Sequence, residues 1–248
     1  MSQATEKQPF FAGLPEEALE NVTAYEDLPL EHWYDHPDMF FFEEPVNAVD
    51  YLRDTVGVSL RKKLPDGGKI LQLGCGVGLC AVALAQLGYE VTGFDSNAQA
   101  IELARQFNRD FEQSVTFHHG KFLEDADTEA LELYDAVLCI EDALTWWLSE
   151  EEQQAVVKKM NSLLKKNGEV ILEVQDFNKV MKDSSFDRVE GFGSLVNRAE
   201  GPCAALLRHR WYGSPRQKIF KKTYYRIASD SKLWFYSLIM FSFHESRF

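Results

Sequence analysis

"KILQLGCGVGLC", residues 69–80, sets an apolar run of strand character against an apolar run of helical character, with Gly74, Gly76 and Gly78 at alternate positions between them. A strand that turns into a helix through glycines can take left-handed backbone angles and bring bare main chain against a ligand. In a parallel sheet such a turn lies at the carboxyl end of the strand, where open α/β sheets bind their ligands. The dinucleotide fingerprint G-x-G-x-x-G fits Gly74 and Gly76 only, because position 79 is Leu and Gly78 is out of step. That spacing ranks a dinucleotide oxidoreductase last among the readings. The next apolar strand ends in Asp95, 21 residues beyond Gly74, where a carboxylate can accept both hydroxyls of a ribose.

Outward from this stretch, two signatures alternate. The runs "KILQLG", "EVTGFD", "VTFHH", "YDAVLCI" and "EVILEV" read as strands buried on both faces. Between them, 77–87, 97–109 and 150–166 have helical spacing, and 46–64 reads as one further helix. Ser96 with Gln99, and Ser149 with Glu152, fit capping boxes, and Asn167-Gly168 reads as a helix stop. The fold class is therefore α/β: a doubly wound, mainly parallel sheet with helices on both faces. After a polar, glycine-containing stretch (178–202), "CAALLRHRWY", "QKIFKKTYYRI" and "KLWFYSLIMFSF" alternate as three strands of a C-terminal antiparallel meander.

The 248 residues, 45% hydrophobic, suffice for one substantial core. No apolar stretch reaches membrane-spanning length, and the start lacks the basic and apolar regions of a signal peptide, so a cytoplasmic address and no membrane partner are expected. Cys75, Cys80, Cys139 and Cys203 form no CxxC pair and no Cys/His spacing, which reads as free thiols in a reducing compartment and no metal site. The net charge of −13 argues against nucleic acid as partner. Its distribution is uneven: residues 1–54 hold thirteen acids against Lys7 and Arg53, whereas 201–229 hold no acid and seven Lys or Arg.

The spacing Gly74-x-Gly76-x-Gly78 resembles motif I of the class I S-adenosylmethionine-dependent methyltransferases, and the likeness runs from about residue 40 to 176. "YDAVLCIEDALTWW" resembles the family's fourth strand and loop, and residues 150–177 are similar to its small-molecule enzymes, including the glycine and sarcosine N-methyltransferase-like group. The resemblance implies a Rossmann-like sheet of order 3-2-1-4-5 with added edge strands, and S-adenosyl-L-methionine as cofactor. It divides the chain into an acidic, aromatic N-terminal cover (1–45), a cofactor-binding methyltransferase core (46–177) and a lid-like meander (178–248). It places Gln72, Gly74, Cys75, Gly76, Gly78, Asp95, Ser96, Lys121, Phe122 and Glu141 around the cofactor.

Three features depart from the family pattern. Gln72 stands where an acid usually opens motif I, Lys121 stands where an acid usually accepts the adenine amino group, and the chain stops at "FSFHESRF" soon after the meander. A lysine cannot accept a hydrogen bond, although Phe122 beside it could pack on adenine. Methyl transfer needs a positioned, desolvated nucleophile more than any one residue type. Tyr34, Asp142 and Asp176 are the catalytic candidates, and Trp146, Arg208 and Arg210 the candidates for substrate contact; Trp147 reads as a further apolar wall. His118 and His119 read as structural. Three functions remain in play: methyl transfer to nitrogen or oxygen of a small molecule, methylation of a protein side chain, and a pseudoenzyme serving as a partner subunit.

Overall fold

The apolar runs become strands because both their faces are covered: β1 (Lys69–Leu73) and β4 (Tyr134–Cys139) are buried almost throughout. With β2 (Glu90–Asp95), β3 (Thr116–His119) and β5 (Leu164–Leu172) they form a five-stranded parallel sheet of order β3-β2-β1-β4-β5, with β1 central. The computed structural model describes residues 22–28, 45–125 and 133–174, and the main chain of four later strands. It divides into two compact units, one of Leu28–Leu144 with Glu151–Val174, the other of the remaining residues.

In the first unit, strand register puts Phe117, Gly93, Gln72, Leu138 and Ile171 in one row on one face of the sheet. Helices Leu79–Gln86 and Ala98–Asp110 cover this face, with Phe117 packed beneath Gly78 and Ala104. On the opposite face, Phe94 meets Phe122 edge-on at 5.7 Å, and Lys159 of helix Glu150–Ser162 donates to the Phe122 carbonyl at 2.6 Å. Leu28, inside the stretch read as the N-terminal cover, is buried in this unit and accepts a hydrogen bond from Asn97 Nδ2.

Several local expectations are corrected. The helix over 46–64 is not continuous α: Pro45–Leu52 and Val58–Arg61 flank a π-helical turn, Arg53–Gly57. The turn lets Gly57 pack directly against Leu87, where any Cβ would collide. Ser96 does not cap the next helix. Asn97 does, its Oδ1 accepting from Ala100 N at 2.9 Å, because Asp95 holds the Asn97 N–H and fixes that residue in extended geometry.

Asn167-Gly168 ends no helix; the preceding helix stops at Ser162, and the pair lies within β5. The ladder steps from Tyr134–Leu164 to Ala136–Glu169, so residues 165–168 bulge. Asn167 takes φ +68° there, and a Cβ on Gly168 would sit 3.0 Å from the Tyr134 carbonyl oxygen.

The second unit holds a four-stranded antiparallel sheet: β6 (Asp187–Arg198), β7 (Gly201–Trp211), β8 (Ile219–Ile227) and β9 (Leu233–Phe241), in that order. The meander thus has a fourth strand, drawn from the polar, glycine-containing stretch that precedes the three expected ones. These strands pair with one another and do not extend the parallel sheet. Among the described residues no helix is long and apolar enough to cross a membrane.

One carboxylate ties the amino ends of three parallel strands. Asp135 Oδ2 accepts from the Lys69 main-chain N–H and from Lys165 Nζ, both at 2.7 Å. The Lys165 bond first, and the Lys69 N–H second, hold the Asp135 carboxyl below its ordinary value. A lowered folded-state value contributes stability above the unfolded value of about 3.9, lost as pH falls through the folded one. Asp135→Asn is expected to lower stability at neutral pH by about 1 kcal/mol. Urea denaturation should show that gap closing in acid; a gap independent of pH would refute the assignment.

Candidate functional site

The loop after β1 is built by all three glycines in left-handed conformation: φ is +64° at Gly74, +51° at Gly76 and +78° at Gly78. Two of them also answer packing demands within the protein. A Cβ on Gly74 would lie 2.5 Å from Ala143 Cβ, in the loop after β4, and one on Gly78 would lie 2.6 Å from Phe117 Cζ. Gly74 N and Cys75 N both donate to the Phe94 carbonyl, at 2.9 and 3.3 Å, so the chain turns away from β1 while still bonded to β2. Gly78 then starts helix Leu79–Gln86 with no side-chain cap.

Asp95, at the end of β2 and 2% exposed, faces this loop. Its Oδ2 accepts from Gly76 N at 2.8 Å and its Oδ1 from Asn97 N at 2.8 Å. One carboxylate therefore fixes the loops after β1 and β2 to each other. A carboxylate oxygen can accept more than one hydrogen bond. His119 Nε2 lies 3.1 Å from the Ser96 carbonyl oxygen and brings the end of β3 to the same place. The sequence reading missed Asn97, although D-x-N ahead of a helix is a recognisable signature of a capped turn.

The other expected residues fall into distinct settings. Gln72 is fully buried, and neither its Nε2 nor its Oε1 has a hydrogen-bond partner among the described residues. Cys75 is buried, its Sγ close to the position a Cβ on Gly93 would take, and burial foremost pushes its thiol well above the ordinary value. Cys80 and Cys139 are likewise buried thiols outside any disulfide, and burial raises the Cys139 thiol to about 12. These settings favour packing over thiolate chemistry.

Lys121 is exposed, its main-chain N–H held by Asp125 Oδ2 at 2.7 Å. Phe122 is 4% exposed and packed between Phe94 and Lys159, so its ring belongs to the core rather than to an open adenine surface. Glu141 and Asp142 take φ of +57° and +61°, two successive left-handed residues that turn the chain sharply off β4. The Asp142 N–H donates to the Glu173 carbonyl at 3.3 Å, which joins the ends of β4 and β5. In the second unit, Trp146 packs against Tyr25 with ring centroids 5.1 Å apart. Arg208 and Arg210 lie on β7, in register with Val189 and Asp187 of β6, and their side chains fall outside the description, as do Tyr34 and Asp176 altogether.

A cleft of about 820 Å³ opens beside this loop cluster, between the helical segment 51–63 and the carboxyl halves of β4 and β5. Glu141 and Glu173 line it at the strand ends. Sequence periodicity missed this cleft because it marks the helix's apolar face without showing how fully that face is covered.

Residues 70–168 match the family model described as a methyltransferase domain. A ubiquinone biosynthesis O-methyltransferase of Vibrio vulnificus is 30% identical over 120 residues, 48% of each chain. A 23S rRNA (uracil(747)-C(5))-methyltransferase of Pyrococcus horikoshii is 27% identical over 172 residues, 69% of this chain and 39% of that one. The matched region spans about half or less of the length of these two relatives. Among solved structures, the CcbJ methyltransferase of Streptomyces caelestis superposes with a TM-score of 0.69 over 90% of this chain and 83% of that one, at 16% identity. The sugar N-methyltransferase KedS8 of a Streptoalloteichus species gives 0.66 over 91% and 84%, at 13% identity, a likeness of fold alone. The order 3-2-1-4-5, the glycine loop facing Asp95 and the match of residues 70–168 to a methyltransferase-domain model agree on a Rossmann-like methyltransferase fold for this unit.

Proposed function

We propose that this chain is an S-adenosylmethionine-dependent methyltransferase acting on nitrogen or oxygen of a small molecule. The observation that carries the reading is the Asp95 carboxylate, bonded to Gly76 N in the loop between the central strand and its helix. The residues present fit the group: a loop of three left-handed glycines, a carboxylate facing it, and the unpartnered buried amide of Gln72 two residues before Gly74. Asp95 would accept the ribose hydroxyls, and Gln72 would bond the amino-acid end with its neutral donor and acceptor. When bound, S-adenosylmethionine supplies a methyl carbon on a sulfonium, an electrophile with a good leaving group. The protein's share is then to orient a nucleophile and exclude water from it. Glu141 and Asp142, which turn the chain off β4 just before Ala143 meets Gly74, would line the approach.

The relatives' names support acceptors of more than one kind: ubiquinone biosynthesis, a sugar nitrogen, a uracil carbon of ribosomal RNA. The charge of −13 repels a phosphate backbone and favours the small molecules. The finer likeness of residues 150–177 to glycine and sarcosine N-methyltransferases is part of the same proposal. A rival reading, a cofactor-free partner subunit, draws on Gln72 and Lys121, neither of which supplies the family's usual charge.

Calorimetry with S-adenosylhomocysteine tests the proposal, and absence of binding at millimolar ligand would favour the partner-subunit reading. Asp95→Ala should weaken binding by about 1.5–3 kcal/mol, the worth of charge-assisted hydrogen bonds, in protein verified as folded. A loss under about tenfold removes the ribose role from Asp95. Gln72→Met should raise stability by about 1–3 kcal/mol, since it deletes two buried unpartnered polar atoms, while weakening S-adenosylhomocysteine. Thermal melts and calorimetry on the same variant separate the two effects; unchanged affinity would make Gln72 a core residue only.

A further inference from the structure

Asn97 carries more bonds than a helix cap needs. It is fully buried. Its main-chain N–H donates to Asp95 Oδ1 at 2.8 Å, its carbonyl accepts from Ile101 N at 3.2 Å, and its Oδ1 accepts from Ala100 N at 2.9 Å. Those three bonds start helix Ala98–Asp110, and a serine, threonine or aspartate could make them equally well. The fourth bond is different. Asn97 Nδ2 donates to the Leu28 carbonyl at 3.3 Å, across 69 residues of chain. Aspartate has no donor for it, and serine or threonine offers one hydroxyl where two groups must be met. One partner of the amide is an N–H and the other a C=O, so a single orientation serves both.

Leu28 is 1% exposed and belongs to the same compact unit as Asn97. The main chain of the turn is held separately from β3: Gly120 N donates to the Asp95 carbonyl at 2.9 Å, and His119 Nε2 lies 3.1 Å from the Ser96 carbonyl oxygen. The Asp95 carboxylate, in contrast, is bonded by Gly76 N and Asn97 N. The residue whose N–H orients the candidate ribose acid is therefore the one that clasps Leu28. Withdrawal of Leu28 takes an acceptor from a buried amide, where an unmet donor is costly. Asn97 recovers that cost only by turning, and a turn disturbs both the helix cap and the bond to Asp95.

We propose that Asn97 is a positioning residue for the cofactor, and that docking of Leu28 and binding of the adenosyl group at Asp95 are thermodynamically linked through it. The proposal rests on the methyltransferase reading and adds to it a coupling between that site and a segment distant in sequence. Linkage is reciprocal: docking raises affinity for the ligand by the same factor by which the ligand favours docking.

Calorimetry and hydrogen exchange on the full chain, with S-adenosylhomocysteine as probe, test this. At saturation the ligand should slow exchange of the peptide carrying Leu28 by about fivefold or more, the lower end of ordinary coupling between linked sites. Asn97→Ser keeps a neutral cap for Ala100 N and removes the amide donor. It should speed exchange at Leu28, leave exchange within 98–110 unchanged, and weaken the ligand by about fivefold. Leu28→Ala, which alters no group assigned to the cofactor, should weaken it similarly, and the double variant should lose no more than either single one. A merely structural Asn97 would lower the melting temperature and leave affinity intact. Unchanged affinity in both single variants, additive losses in the double variant, or exchange at Leu28 indifferent to ligand overturns the proposal. Failure of the unsubstituted protein to bind S-adenosylhomocysteine strikes the methyltransferase reading and the linkage together, whereas binding without the linkage strikes the linkage alone.

Discussion

The Asp95 carboxylate is the interaction on which the site depends. Its two oxygens bind the N–H groups of Gly76 and Asn97, so one side chain sets the distance between the loops after β1 and β2. A loop of three left-handed residues has little tendency to hold one shape alone. Anchored at Gly76 by a charged acceptor and at Gly74 by the Phe94 carbonyl, it has only one arrangement left. The same carboxylate presents Asn97 in extended geometry and so starts helix Ala98–Asp110. Fold and candidate site therefore share a single electrostatic joint, and it is almost wholly buried, where such bonds are strongest.

Around that joint, the protein carries polar features that its stability does not need. Gln72 places two unpartnered polar atoms in the middle of the sheet, a cost that a methionine or leucine would avoid. Glu141 and Asp142 occupy left-handed backbone that a non-glycine residue enters only against a penalty. Both departures lie at the carboxyl end of the central strands, and beyond Lys69 and Asp135 at the amino ends the remainder of β1 and β4 is ordinary apolar packing. Such concentration of unfavourable local choices in one place is what binding sites impose on a fold.

Much of this was legible in the chain. The buried parallel strands followed from continuous apolar runs, and the acid after β2 followed from its distance to the glycines. Boundaries set by tertiary contacts were not. Ser96 and Asn97 both have capping side chains, and only the Asp95 bond to the Asn97 N–H decides between them. Asn167-Gly168 has the chemistry of a helix stop, yet the same left-handed preference serves a strand bulge equally well, and the carbonyls of β4 close by require it there. Phe122, beside Lys121, reads as an aromatic that could pack on adenine, and it is Phe94 and Lys159, from elements distant in sequence, that enclose its ring.

The sequence by itself determined the parallel α/β architecture, the glycine loop and the carboxylate that faces it, because each is a matter of local periodicity or of spacing along one strand–turn–helix unit. Only the tertiary structure decided why Gly74 and Gly78 lack side chains, since Ala143 from the loop after β4 and Phe117 from β3 approach them. It alone revealed the orphaned amide of Gln72 and the cleft between segment 51–63 and the ends of β4 and β5. Those features are properties of what elements far apart in the chain leave uncovered when they pack, and no local pattern encodes a space.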